Sequence, residues 1–216
     1  MMMSLPASLD EALQARHDRP NALVLAGGTD LMVEINYGHR RPPSVISLRA
    51  VDELRGWKKV GDTLVLGSGL RYVDLINSEL SILAPALAQA ARTVGSPQIR
   101  NCGTIGGNVA MASPAGDTLP VLAALDAIVT VANLRGQREI PFSEFITGVK
   151  RTALADDELV TSITIPTACG PQEFLKVGKR NAMVIAVASV ALVVDVSAKR
   201  VTCALGSVGP TIIRCP

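Results

Sequence analysis

Short apolar runs alternate with helical stripes along this chain, and the mixture predicts an α+β fold. Ser8, Leu9, Asp10 and Glu11 have capping-box spacing, and Leu9, Ala12 and Leu13 continue it as a helix ending before Pro20. A strand is expected over 22–26, a helix over 30–37 closed by Gly38, and a second strand over 44–48. These make a small β-loop-α-β unit whose loop carries Gly27 and Gly28, at the strand end where nucleotide sites often lie.

A hairpin over 57–60 and 63–67, turning at Gly61 and Asp62, opens a second unit. Residues 71–77 and 82–93 read as helices, the second lined by Leu83, Leu87 and Ala90, and 119–124 reads as another. A hairpin over 127–132 and 138–141 turns at Leu134, Arg135 and Gly136. Ser143 is expected to cap a short helix, and 158–166 closes the unit as a strand. Past Pro166 the composition changes to Gly, Pro and Cys, as a linker would. Strands over 173–177, 184–194, 200–207 and 211–214 form a third unit, so the expected division is 1–55, 56–168 and 169–216. The apolar run over 182–194 is too short to span a bilayer, and its Val and Ile content suits a buried strand.

Composition narrows the function. With 216 residues, 48% hydrophobic and 19% charged, the chain can bury a core divided among two or three small units. A net charge of +2 without a basic run, and an aromatic content of 3%, exclude the electrostatic footprint and stacking platforms of a nucleic-acid binder. Cys102, Cys169, Cys203 and Cys215 stand apart without CxxC pairing, and His17 and His39 are too few for a protein-only transition-metal site. No metal site is therefore expected. The cysteines read as free thiols in a reducing cytoplasm, and the start, MMMSLPASLDEAL, has neither the basic nor the apolar region of an export signal.

The candidate chemistry lies in two glycine stretches. Gly103, Thr104, Ile105, Gly106, Gly107 and Asn108 place three glycines in five residues, where bare backbone lets successive N–H groups close on phosphate oxygens. Leu25, Ala26, Gly27, Gly28, Thr29, Asp30 and Leu31 form a similar stretch upstream. Each alone reads as a turn; together they predict a long anionic ligand. Other nucleotide and nucleophile patterns fail. Gly67, Ser68 and Gly69 lack the third Rossmann glycine, which is Tyr72 here, and no GxxxxGK[ST] loop occurs. Ser113 stands beside Pro114 rather than in a nucleophile elbow, so no catalytic residue is assigned. Asp30 reads equally as a helix-start acid and Asp117 as a cap for the helix at 119; Arg100 reads as a phosphate ligand or a surface ion-pair partner, and Cys102 as a small apolar filler.

In order and spacing, LAGGTDLM, IRNCGTIGGN, ASPAGDTLP, ELVTSITIP and FLKVGKR resemble the FAD-binding subunit of the molybdenum hydroxylases, the family of xanthine dehydrogenase and the carbon monoxide dehydrogenases. The resemblance implies two α/β FAD-binding subdomains of the vanillyl-alcohol-oxidase (PCMH) type, followed by a partial α+β C-terminal domain, because such family members usually continue further. It implies that Val24, Leu25, Ala26, Gly27, Gly28, Thr29, Asp30 and Leu31 line the pyrophosphate and ribityl groups. Thr104, Ile105, Gly106, Gly107 and Asn108 would form the second cofactor loop, with Ser113 and Asp117 following. Val94 and Val160 correspond to apolar cofactor contacts, and Lys176 to a basic residue near the flavin end.

The implied function is an oxidoreductase subunit that binds FAD noncovalently, neither glycine loop containing a histidine. Molybdopterin and [2Fe–2S] clusters would reside on a large and a small partner subunit, and electrons would leave to NAD or oxygen. Such a subunit is expected to expose apolar surface for its partners. Two rival readings are a flavin-free assembly or regulatory module and a stand-alone flavin oxidoreductase. The first keeps the glycine loops only for folding, and the second needs its own substrate cavity.

Overall fold

A computed structural model describes residues 2–77, 79–167 and 170–215. The expected free thiol at Cys169, the linker residue Ala168 and the terminal Pro216 lie outside the described residues. The fold is mixed α and β. Strands β1 (Met2–Ser4), β2 (Leu23–Leu25) and β3 (Ser44–Ser47) form a parallel sheet in the order β1-β3-β2. The first helix, α1 (Leu9–Asp18), begins where its cap demands. Ser8 accepts from the Glu11 N–H at 3.2 Å, and the Glu11 carboxylate reaches back to the Ala7 N–H at 2.8 Å.

After the two glycines comes α2 (Leu31–Asn36), ended by Gly38 in the left-handed region at φ +73°. A second sheet, antiparallel throughout, has the order β4-β5-β10-β6-β7, comprising β4 (Trp57–Val60), β5 (Thr63–Gly67), β6 (Ile128–Asn133), β7 (Gly136–Pro141) and β10 (Leu159–Pro166). A two-stranded ribbon, β8 (Ile146–Gly148) and β9 (Arg151–Thr152), stands beside it. The first sheet's helix docks on this second sheet through a small apolar cluster in which Ala12, Leu13, Val51 and Leu54 meet Ala132 and Leu159.

Between β5 and β6 the chain is helical, beginning with α3 (Tyr72–Asn77), and beyond it the structure departs from the pattern. The helix expected over 82–93 is two, α4 (Leu80–Leu83) and α5 (Pro85–Thr93), because Pro85 lacks an N–H and holds Ala84 out of helical geometry at φ −142°, ψ 66°. The expected second cofactor loop is largely helical: α6 (Pro97–Cys102) leads into it, and Ile105 to Asn108 lie in α7 (Ile105–Met111). The main core gathers Leu87, Ile105, Leu119, Val129, Phe145 and Ile163 around α8 (Thr118–Ala124), every residue of which is buried. Helix α9 (Phe142–Phe145) starts at the residue after Pro141, so Ser143 is not its cap.

The last sheet is antiparallel, β11 (Gln172–Val177), β12 (Ala188–Asp195), β13 (Arg200–Gly206) and β14 (Ile213–Cys215) in sequence order. Its inner face packs on α5 and α8: the Phe174 N–H donates to the Gln89 side chain at 2.7 Å, and the Thr202 hydroxyl to the Ala124 carbonyl at 2.7 Å. Its outer face is apolar across the register, with Leu175 opposite Val190, Val190 opposite Leu205 and Leu205 opposite Ile213. The 182–194 run is only partly the buried strand its composition suggests. Met183, Ile185 and Val187 are irregular and exposed, and the strand begins at Ala188. Among the described residues no helix is long and apolar enough to cross a membrane.

Candidate functional site

The two glycine stretches meet. A cavity of about 360 Å³ is lined by residues 26–31 on one side and by Thr104, Gly106, Gly107 and Asn108 on the other, with Val24, Leu159 and Val160 forming an apolar wall. Strand β2 delivers the first stretch and α7 the second. Within the first, none of the peptide N–H groups of Gly27, Gly28, Thr29, Asp30 and Leu31 has an acceptor among the described residues; the first internal bond of the turn runs from the Met32 N–H to the Gly28 carbonyl at 3.1 Å. Gly28 adopts φ +75°, which turns consecutive N–H groups toward one point, the geometry of an anion-binding nest. With α2 only six residues long, these peptide dipoles themselves supply the positive end.

The second stretch behaves differently, and the expectation of a backbone nest there is corrected. The Ile105 N–H donates to the Leu70 carbonyl at 2.9 Å and the Gly106 N–H to the Ser68 carbonyl at 2.9 Å. Thr104 caps α7 by accepting from the Gly107 N–H at 3.1 Å, and the Asn108 N–H bonds the Thr104 carbonyl at 3.1 Å. These donors are consumed by the fold. The glycines serve close packing: a Cβ on Gly106 would stand 2.4 Å from the Ser68 Cβ, and one on Gly27 only 2.0 Å from the Cys102 carbonyl oxygen. Gly107 differs, since its added Cβ would meet only Thr104 Oγ1 at 3.0 Å and Ala26 Cβ at 3.8 Å beside the cavity.

Other expected site residues divide between wall, core and a separate cluster. Ile105 is fully buried in the core and Val94 packs against the same core, both outside the cavity lining; Leu25 is half-buried in β2. Asn108 lines the cavity, but its side-chain oxygen accepts from the Thr118 hydroxyl at 2.5 Å. The Ser113 hydroxyl accepts a long bond from the Ala115 N–H. Asp117 precedes α8 without capping it. Instead Asp117 Oδ2 meets Lys176 Nζ at 2.6 Å and the Thr93 hydroxyl at 2.9 Å, while Oδ1 is buried without a partner. Burial pushes the Asp117 carboxyl up, opposed by Lys176 and Thr93.

Asp30, likewise, makes no capping bond; although it reaches solvent, surrounding protein raises its carboxyl by desolvation, against the pull of Lys150. Arg100 holds the Val94 and Gly95 carbonyls at 3.1 and 3.0 Å and, among the described residues, pairs with no acid. Cys102 is exposed on the wall of a neighbouring cavity of about 690 Å³, not an apolar filler.

Sequence reasoning missed the cavity's charged and aromatic lining. Although the glycine loop has no Lys or Arg, the fold brings Arg16, Arg40 and Lys150 to its wall from distant positions. Arg40 and Lys150 both engage Glu34, at 2.7 and 3.1 Å. Tyr72 is buried, and its phenol is pushed far up by desolvation and by the nearby Asp30 and Asp117 charges. No local signal marks these residues, because each acquires its neighbours only through long-range packing. Among the described residues, no cluster of three His, Cys, Asp or Glu could hold a metal ion.

Comparison with known proteins bears on the family. The model for the FAD binding domain in molybdopterin dehydrogenase matches residues 1–168. The chain is 37% identical to the nicotinate dehydrogenase FAD-subunit of Eubacterium barkeri, over 84% of this chain and 64% of that protein. It is 32% identical to the glyceraldehyde dehydrogenase medium chain of Sulfolobus acidocaldarius, over 90% and 69%. It thus spans somewhat less than two thirds of the first of these proteins and somewhat more of the second. The carbon monoxide dehydrogenase structure from Hydrogenophaga pseudoflava superposes with a TM-score of 0.93 at 30% identity, covering 99% of this chain and 77% of that one. On the family match and these relatives together, the chain belongs to the FAD-binding domain family of the molybdopterin dehydrogenases.

Proposed function

We propose that the cavity holds FAD noncovalently and that the chain is the flavin-carrying electron-transfer part of a molybdopterin-dependent hydroxylase or dehydrogenase. The observation that carries this reading is the run of five N–H donors from Gly27 to Leu31 with no acceptor among the described residues, on the wall of a cavity that Gly107 also lines. Orphan donors of that kind fit a diphosphate. Among the described residues the lining contains no histidine or cysteine, and its one tyrosine, Tyr72, is buried in the core, which favours noncovalent retention. A bound flavin would supply one- and two-electron redox chemistry that no side chain here offers.

The chain's own residues bind and orient. Gly107 leaves room beside the nest, and Val24, Leu159 and Val160 exclude water from one wall. Lys176 and Thr93 hold Asp117 fixed in a cluster outside the cavity lining, with its buried Oδ1 left unmatched; an acceptor there would suit a polyol hydroxyl of the cofactor. We read the chain as three units, 1–55, 56–168 and 169–216, a division supported by each larger sheet falling within one of these ranges.

The partners proposed are an iron–sulfur small subunit and a molybdopterin large subunit, with NAD or oxygen as acceptor. Support comes from the relatives being named subunits or medium chains, and from the apolar outer face of the last sheet. Three free thiols, Cys102, Cys203 and Cys215, favour a reducing, cytoplasmic setting. The test is an absorbance spectrum of the purified chain after adding FAD and removing the excess. Stoichiometric flavin bands released by heat or acid are expected; a chain that retains no flavin would count against the reading.

A further inference from the structure

Among the described residues, Arg16 is the one cation of the cavity lining that no carboxylate pairs. Arg40 and Lys150 share Glu34, whereas Arg16 has no ion-pair partner. Its Nη1 donates to the Ala22 carbonyl at 2.7 Å, which fixes the guanidinium at the end of α1, yet its Nε is buried with nothing to receive the proton. A buried donor left unmatched carries the full desolvation penalty of the group. A ligand acceptor at that point removes the penalty.

Position selects which part of the ligand Arg16 meets. The whole of β2 stands between Ala22 and the turn that forms the nest, roughly 10 Å of extended chain. The guanidinium is thus beyond hydrogen-bond reach of the anion held at 27–31. The cavity lining includes the apolar side chains of Val24, Leu154, Leu159 and Val160, while Asp156 and Asp157 act on the guanidinium through space without pairing it. Apolar walls with one planar, directional donor suit a heteroaromatic base with ring-nitrogen acceptors better than a second phosphate.

Resting on the FAD reading above, we infer that Arg16 is a positioning residue for the nucleobase end of the dinucleotide, its Nε–H donating to a ring nitrogen of the adenine. It follows that this end of the cavity distinguishes a flavin dinucleotide from the mononucleotide.

The experiment titrates the full chain, as wild type, Arg16→Met and Arg16→Lys, with FAD and FMN by flavin fluorescence and with ADP by calorimetry. Wild type is expected to prefer FAD over FMN. Arg16→Met is expected to weaken FAD and ADP roughly tenfold while leaving FMN unchanged. Arg16→Lys, which keeps the charge and can still reach the Ala22 carbonyl, should lose FAD and ADP affinity similarly because it lacks the planar donor. It gives the reading if circular dichroism shows that Arg16→Met does not fold. Unchanged FAD affinity in the folded variants, or an equal loss for FAD and FMN, would overturn the inference. Wild type binding FAD and FMN equally would overturn it while leaving the flavin reading standing; wild type binding no flavin and no ADP would bring down both.

Discussion

Lys176 Nζ lies 2.6 Å from Asp117 Oδ2, joining the last sheet to the residue before α8, with side-chain exposures of only 7% and 5%. The lysine also donates to the Thr93 carbonyl at 3.2 Å, so its ammonium is committed to structure. Breaking a buried pair leaves one charge stranded, which is far costlier than losing a surface contact.

The Lys176→Met variant is expected to lose about 3 kcal/mol of stability at pH 7. Burial already raises the Asp117 carboxyl, and removing Lys176 raises it further. A group whose folded pKa exceeds its unfolded value favours folding below the unfolded value and loses that advantage as pH rises through the folded one. The variant's deficit should therefore shrink as pH falls from neutral through the variant's raised folded value, and be smallest below about pH 4, where the carboxyl is protonated in folded and unfolded states alike. Urea unfolding at pH 7 and at low pH checks this; an equal deficit at both would refute it. An Asp117→Leu/Lys176→Met double variant should be more stable than either single one.

Gly106 and Gly107 are adjacent but face different surroundings. Gly107→Val points into the cavity and is expected to abolish FAD retention while leaving a cooperative fold. Gly106→Val meets Ser68 and the backbone behind it, so it should cost upward of ~3 kcal/mol through overpacking. Flavin retention and thermal melting of the two variants separate these outcomes. Stoichiometric FAD in a folded Gly107→Val protein would displace the cofactor from this cavity.

Glu158 accepts from Arg138 at 2.7 and 2.8 Å and from the Ala155 N–H at 2.8 Å, on the strand side of the cavity wall. Arg138, then burial, then Ala155 set its carboxyl, with a net shift downward. A depressed carboxyl contributes stability above its unfolded pKa and loses it as pH falls through the folded one. With Arg138 half exposed, Glu158→Gln is expected to cost ~1 kcal/mol at neutral pH. The difference from wild type should vanish in acid, as thermal melts across pH would show; a constant gap down to pH 2 would contradict the assignment.

Much of the secondary structure was legible because its signals are local. Ser8 with Glu11 announces α1, and Gly61 with Asp62 announces the β4–β5 hairpin, where Gly61 takes φ +58°. Gly38 ends α2 for the same reason. The first glycine stretch was legible as a candidate site because consecutive N–H groups and one left-handed glycine are local features. The second was misread: three glycines in five residues signal close approach, but not what approaches. At Gly103 it is the Tyr72 ring, at Gly106 it is Ser68, and only at Gly107 is it the cavity.

The sequence by itself determined the fold class, most strand and helix positions, and the two glycine stretches that line one cavity, since caps, turns and apolar periodicity act within a few residues. Tertiary structure alone decided which donors remain unmatched. Whether the Gly106 N–H is available depends on Ser68, and whether Asp117 is paired depends on Lys176, 59 residues away. Arg16 became part of the wall only when α1 packed on the second sheet. Hydrogen-bond satisfaction and burial belong to the assembled packing, and no short window of sequence contains them.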